Sequence, residues 1–338
     1  MIQLLMDATV KIGSIIMFCD ESILGIQFGN GYSVVKTYLA DFPYKDRIVD
    51  GRGQLDVSYL CSAKKDENGK YFFCLKKETA YQMQPPQHLA PGVYTNEQLR
   101  CEDQVSEFDN RETQYLHKIF SLLHIFKAGN IGTKQVFFEH SFSYGMINNT
   151  VKRTSDNVTR NIVDDRVFSL TTVELVNCNR FLLDYSGAEY TVMKHNIDEF
   201  IQGLAQVNHS VSFEQFTTAL EMTLLGQGQQ GKKEVLSKRV AVLLEDTSEN
   251  ITNLYMKMRD FYRYRSESLH EGDDQNITKV ERVELEGIVR RVLTKCLQRC
   301  KAELALNPSI TWNEIKEKII DELKTKVTAE VASGTFGR

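Results

Sequence analysis

In this 338-residue chain the types and spacing that suggest chemistry belong to Arg265, Ser266 and His270. An imidazole titrates near neutrality and can move a proton. A guanidinium stays charged and forks onto the oxygens of an anion. The pair therefore suits proton transfer beside a bound anion and needs no metal ligands. Arg265 follows an apolar stripe of Ile251, Leu254, Tyr255, Met258, Phe261 and Tyr262. At about 100° per residue it falls about 40° from Ile251, on the core line, whereas Arg263 falls about 120° away, toward solvent. A charge on a core line requires a buried acid, such as Glu221, or a bound anion. His270 lies about 140° from Arg265 on a continuous helix, so the two converge only where the helix kinks or ends among Ser266, Glu267 and Ser268. A purely structural role for His270, beside terminal carbonyls at a helix end, is open at this point.

The elements that must position these residues form a series of amphipathic helices. Phe213, Phe216, Leu220 and Leu224 share one face, with Ser212 as N-cap and Gly226 as stop. Leu236, Val240, Leu243 and Leu244 make a second stripe, and the Ile251–Tyr262 stripe, capped by Ser248, a third. A fourth helix runs from Lys279 to Leu306 and ends before Pro308; Trp312 to Val327 is a last one.

Residues 213–306 resemble the HEPN superfamily, in particular its Apea-like branch. The resemblance rests on Ala219-Leu220-Glu221-x-x-Leu224, on Arg239-Val240-Ala241-Val242-Leu243-Leu244, and on Tyr262-x-x-Arg265-Ser266-x-x-x-His270, which matches the family's R-x(4–6)-H signature. A weaker likeness reaches back to Phe168-Ser169-Leu170 and Glu174. The resemblance implies a metal-independent RNA endonuclease, a toxin or antiviral defence effector acting as a homodimer. In it Arg265 and His270 would be the catalytic pair and Ser266 the polar residue after the arginine; apart from the resemblance, Glu221 or another acid is the supporting residue expected to orient the arginine when no RNA is bound. Ser266 stands where active members often carry Asn, Asp or His, and Glu271 separates His270 from Gly272. It also implies RNA as partner, with an antitoxin or phage-derived trigger. The other readings are a non-catalytic HEPN module for dimerisation or nucleotide binding, and an adaptor whose β-rich part does the work. The spacing alone carries little, since seventeen arginines and seven histidines give about one such match by chance. Arg111 with His117 is one, and Arg263 with His270 another.

Other patterns are weaker. Arg263 joins Arg290, Arg291 and Lys295 as candidate RNA-backbone contacts, the last three in a stretch without acids through Arg299 and Lys301. A solvated helix face explains the same run. Tyr255, Phe261, Tyr262 and Tyr264 suit either base stacking or a core. Gly226-Gln227-Gly228-Gln229-Gln230-Gly231 matches the dinucleotide pattern but follows a helix, so it reads as a loop. Gly129–Lys134 lacks the ending of a phosphate loop. His117 and His124 have no further ligand nearby, the seven cysteines contain no C-x-x-C, and no metal or cofactor is expected.

The composition, 42% hydrophobic and 25% charged with a net charge of -4, is that of a globular chain and excludes a uniformly cationic nucleic-acid coat. Asp7 and Lys11 interrupt the N-terminal apolar run, and no stretch reaches the ~18 residues of a membrane helix. The expectation is a cytoplasmic protein with reduced thiols and no membrane contact. Short apolar or alternating runs at Ile15–Phe18, Gly25–Phe28 and Tyr32–Val35, and an expected strand pair at Leu55–Cys61 and Tyr71–Leu75, mark the first part as β-rich, with turns at Asn30-Gly31 and Lys64–Gly69. Prolines at 85, 86 and 91 suggest a connection. Helical spacing from Tyr115 to Phe126, a β-like Val136-Phe137-Phe138, a polar stretch at 148–165, and helices over Phe168–Leu183 and Ile197–Val207 follow. The expected class is α+β: a mainly-β N-terminal domain over 1–110 that senses or selects the target, a mixed connecting region over 111–210, an all-α HEPN-type four-helix bundle over 211–306, and a C-terminal helix and tail over 307–338.

Overall fold

The computed structural model describes residues 6–49, 54–60, 62–84, 96–144, 147–156, 158–159 and 166–336. An antiparallel sheet and a set of helices give an α+β fold in two compact units. One extends to Leu182, the other runs from Leu183 onward, and His124–Ala128 groups with the second.

In the first unit, β1 (Met6–Ile16) lies at the centre of the sheet. β4 (Gly69–Met83) pairs along one side and β5 (Gln135–Tyr144) along the other. β2 (Ser33–Tyr38) lies outside β4 and β6 (Ile147–Asp156) outside β5, while β3 (Lys64–Asp66) forms a hairpin with β4. Ile12 pairs with Lys77 and Phe138, and Val10 with Thr79 and His140, which fixes the residues sharing each face. One face buries Ile15, Phe72, Cys74 and Phe137 against Phe42, Tyr44, Ile48 and Tyr59, around the short helices α1 (Lys45–Ile48) and α2 (Val57–Leu60). Gly13 is required there: a Cβ would sit 2.7 Å from the Tyr44 ring, which stacks on Phe137 at 4.9 Å. The long helix α3 (Asn96–Phe126) covers the opposite face, where Val105 packs on Ala8 and Met83.

Several expectations change. The sheet takes its last two strands from 135–156, so the β-rich unit passes the expected boundary at 110. β6 has no alternating pattern because it is an edge strand whose described side chains are half-buried or exposed. The expected strand at Leu55–Cys61 is instead the short helix α2, with Cys61 outside the described residues. Gly25–Phe28 is not a strand, although Asn30-Gly31 does turn, with φ of 50° and 78°. Positions 85–95, with the three prolines, lie outside the described residues.

α4 (Thr172–Tyr185) crosses the division between the units. The second unit then contains α5 (Ala188–Leu204), α6 (His209–Leu224), α7 (Lys232–Leu244), α8 (Ser248–Glu271), α9 (Lys279–Leu306) and α10 (Trp312–Ala332). Its core takes Phe200, Phe213, Phe216, Leu220, Leu236, Val240, Leu285, Val289, Val292 and Cys296, all fully or almost fully buried. α9 matches the sequence reading at both ends and opens on a capping box of Thr278 and Glu281. The N-caps of α6 and α8 are Asn208 and Thr247, rather than Ser212 and Ser248. Ser212 is buried one turn inside, and its hydroxyl donates to the Gly203 carbonyl at 2.8 Å. The glycine-glutamine loop joins α6 to α7.

Candidate functional site

Arg265 reaches from α8 to α6, where its Nη1 donates to Glu221 Oε1 at 2.9 Å. The Tyr262 hydroxyl donates to the same oxygen at 3.1 Å, and Lys232 Nζ, at the start of α7, lies 3.3 Å from Oε2. One carboxylate thus serves three donors. Arg265 and Glu221 keep only 18% and 15% of their side-chain surface, and Lys232 keeps 51%, so the lysine forms the solvent rim. The guanidinium also lies 5.6 Å from the Tyr262 ring centre. Burial, followed by the Glu221 charge and hydrogen bond, pushes the Tyr262 phenol up from its usual value. Among the described residues the buried Nε of Arg265 has no hydrogen-bond partner, which leaves a donor unused beside the ion pair.

His270 occupies the last turn of α8 and is exposed. The kink expected at Ser266–Ser268 does not occur, since α8 runs unbroken to Glu271. Its stop is Gly272, in the left-handed region at φ 69°, whose N–H returns to the Ser268 carbonyl at 3.1 Å. The Ser268 hydroxyl spans the cap to Asp274 at 2.5 Å rather than competing for the helix backbone. That bond, with one from Ser210, holds the Asp274 carboxyl below its ordinary range. On an unbroken helix the directions of Arg265 and His270 differ by about 140°. One copy in this conformation therefore does not aim both at one phosphate. Ser266 is half-buried and makes no side-chain hydrogen bond among the described residues.

The candidate backbone-binding cations divide. Arg263 is exposed on the solvent side of α8, between Asp260 at 3.2 Å and Glu267 at 3.6 Å. Arg290 is 8% exposed, pairs with Glu286 at 2.6 Å and lies 5.3 Å from the Phe200 ring centre; burial removes it as a surface contact. Arg291 closes the end of α7, donating to the Leu244 carbonyl at 3.0 Å and to Glu245 at 2.7 Å. Lys295 is exposed beside a groove of about 310 Å³ with Arg299 and Lys326. Arg299 pairs with Glu322 at 2.6 Å and Lys301 with Asp184 at 2.6 Å. Acids from other segments thus pair with Arg291, Arg299 and Lys301, whereas Arg290 uses Glu286 one turn back in α9.

Two polar constellations of the first unit escaped the sequence reading. Glu112 of α3 accepts Lys77 Nζ at 2.8 Å and the Tyr32 hydroxyl at 2.8 Å, all three residues being buried. His140 Nε2 lies 2.8 Å from Asp109 Oδ1, its Nδ1 lies 2.9 Å from the Tyr81 hydroxyl, and Arg153 Nε meets the other Asp109 oxygen at 2.9 Å. Opposite a carboxylate the ring donates from Nε2, so a neutral ring accepts the Tyr81 hydroxyl's hydrogen bond on Nδ1. Charged residues at inward positions of an alternating strand were the available signal: Lys77 follows Phe73 and Leu75, and His140 follows Val136 and Phe138. Among the described residues no group of three His, Cys, Asp or Glu could hold a metal ion, and no helix is long and apolar enough to cross a membrane. No protein-family model, curated protein or solved structure matches the chain.

Proposed function

We propose that the helical unit is a metal-independent RNA endonuclease of the HEPN type, a toxin or defence effector whose site is completed by a second copy of the chain. The observation that carries this reading is the Arg265 guanidinium on the core line of α8, held by one carboxylate that two further donors also serve. Arg265 can leave Glu221 for a phosphate while Lys232 and Tyr262 stay on the acid. The exchange then strands no buried negative charge. An RNA 2′-hydroxyl attacks its own phosphorus and expels the 5′-oxygen, leaving a 2′,3′-cyclic phosphate. One His270 takes the 2′ proton, the second copy's His270 supplies one to the leaving oxygen, and Arg265 meets the phosphoryl charge. A two-fold axis near the ends of the two α8 helices supplies the second histidine without new sequence.

The unbroken course of α8 favours a second reading, a non-catalytic module that mediates dimerisation or nucleotide binding. The two are separated by an RNA cleavage assay in EDTA on a pool of transfer, ribosomal and random-sequence RNA. The enzyme reading expects cutting by the wild type and loss in His270→Ala and in Arg265→Ala, with a wild-type/His270→Ala mixed dimer also impaired because the site needs both histidines. No cutting of any RNA by the wild type decides for the binding module, and cutting at full rate by a monomer refutes the shared site.

A further inference from the structure

β2 covers β4 only from Tyr71 to Lys76, so among the described residues no strand pairs with that side of β4 over 78–83. The backbone there points outward. Met17 N–H donates to Gly132 on the β5 side, so odd residues of β1 bond toward β5 and even ones toward β4. Ile12 faces Lys77 and Val10 faces Thr79, so odd residues of β4 bond to β1. The N–H and C=O groups of Glu78, Ala80 and Gln82 therefore face the open side, apart from a long bond of 3.4 Å from the Thr79 hydroxyl to the Ala80 carbonyl. The opposite edge of the sheet, β6, carries Lys152 and Arg153 mid-strand, the usual protection against pairing. Thr79-Ala80-Tyr81-Gln82-Met83 has no charge, proline or glycine.

A cavity of about 600 Å³ opens alongside this edge, bounded by Thr79, Tyr81, Phe108, Arg111, Glu112 and Tyr115 among others. Tyr81 stacks on Phe108 at 4.5 Å, and its hydroxyl is tied to His140. Lys77 and Glu112 neutralise each other in the wall. Arg111 is exposed, with its guanidinium 5.0 Å from the Phe108 ring centre and no hydrogen-bond or ion-pair partner among the described residues. The site thus joins an unprotected edge, an aromatic wall and one uncompensated cation.

We infer that residues 78–83 of β4 accept an extended acidic peptide segment from another protein as an added strand, with a Glu or Asp side chain in the cavity against Arg111. The added strand bonds to Glu78, Ala80 and Gln82, and its residues opposite Thr79 and Tyr81 point to the α3 side, over the cavity. A second copy of this chain fits less well. In a hydrogen-bonded antiparallel pairing of two such edges, even residues meet even residues. Glu78, the only acid of the segment, is then always on the face away from Arg111. The charge of Arg111 selects a different, acidic strand.

The test pans the full chain against a phage-displayed library of random octapeptides and measures an enriched peptide by fluorescence anisotropy. Enriched sequences carry Asp or Glu at alternating positions. Binding falls at least tenfold in Arg111→Glu and returns when the peptide acid is replaced by lysine. Ala80→Pro, which removes an outward N–H, also weakens binding at least tenfold. Because a proline could disturb the strand, the same peptide is also N-methylated: methylation of the alternate amides that face β4 abolishes binding, and methylation of the others does not. No enrichment over an unrelated control protein overturns the inference, as does binding that survives both methylation patterns. A dimer in sedimentation that Ala80→Pro dissolves assigns the edge to a second copy and overturns it equally.

Discussion

Lys77–Glu112 in the sheet unit and Arg265–Glu221 in the helical unit are built from the same parts. Each is a cation and a carboxylate 2.8–2.9 Å apart with a tyrosine hydroxyl on the same acid. In the first, side-chain exposure is 6% and 4%, and the Asn30 amide adds a further, longer contact to Glu112. In the second, exposure is 18% and 15%, the third donor is a surface lysine, and the Nε of the arginine has no hydrogen-bond partner among the described residues. The first pair is closed, with both charges committed to each other. The second is open on one side, where its lysine meets solvent. Neither residue identity nor the number of donors, three on each acid, separates the closed pair from the open one; the depth of burial and the exposure of the third donor do.

The largest effect expected of this comparison comes from breaking the closed pair. Glu112→Ala leaves Lys77 buried and unpaired, and urea unfolding followed by a sheet-unit probe should lose about 3–5 kcal/mol. A loss below 1 kcal/mol would mean that Lys77 finds water and the pair is not closed. Next in size is alkali. Burial pushes the Cys74 thiol up to about 11 and those of Cys19 and Cys300 to about 12. A thiol whose folded value is raised contributes stability that is whole below the unfolded value of about 8.5 and is lost as pH rises toward the folded one. From pH 7 to pH 10 the loss is about 2 kcal/mol per thiol, and it falls on both units. Urea midpoints at the two pH values measure it, and a fall confined to one unit would show unequal burial.

The open pair should respond less. Glu221→Gln costs about 1 kcal/mol or less, yet frees Arg265 for anions. Its melting temperature should rise more on added phosphate than that of the wild type, and equal rises would mean that Arg265 does not exchange partners. Tyr262→Phe removes one neutral donor from Glu221 and should cost about 0.5–1.5 kcal/mol in the same unfolding measurement. The smallest effect belongs to His270→Ala. An exposed side chain in a last turn should change stability by no more than about 0.5 kcal/mol. Any loss of RNA cleavage in that variant then belongs to chemistry rather than to folding.

Much of the helical half was legible in its sequence. The apolar stripes of α6 to α10 have helical spacing, and Thr278, Glu281, Gly272 and Pro308 punctuate them, because helix bonds and caps are local. The stripe also placed Arg265 inward, and Glu221, its partner, lies where an acid was needed. The sheet was harder to read. The neighbours of its central strand are distant in sequence, so the pairing of β5 with β1 left no local mark. β6 carries no pattern because an edge strand need not alternate.

By itself, then, the sequence determined what is set within a few turns of chain: the α+β class, the helical spacing, the inward arginine and the absence of a local metal motif. Tertiary structure decided which charges are free. It buried Arg290, gave acids from distant segments to Arg291 and Arg299, turned His270 away from Arg265, and left Arg111 with no ion-pair partner among the described residues. The reason is that a charge's availability depends on what the fold brings within about 4 Å of it, and those neighbours come from anywhere in the chain.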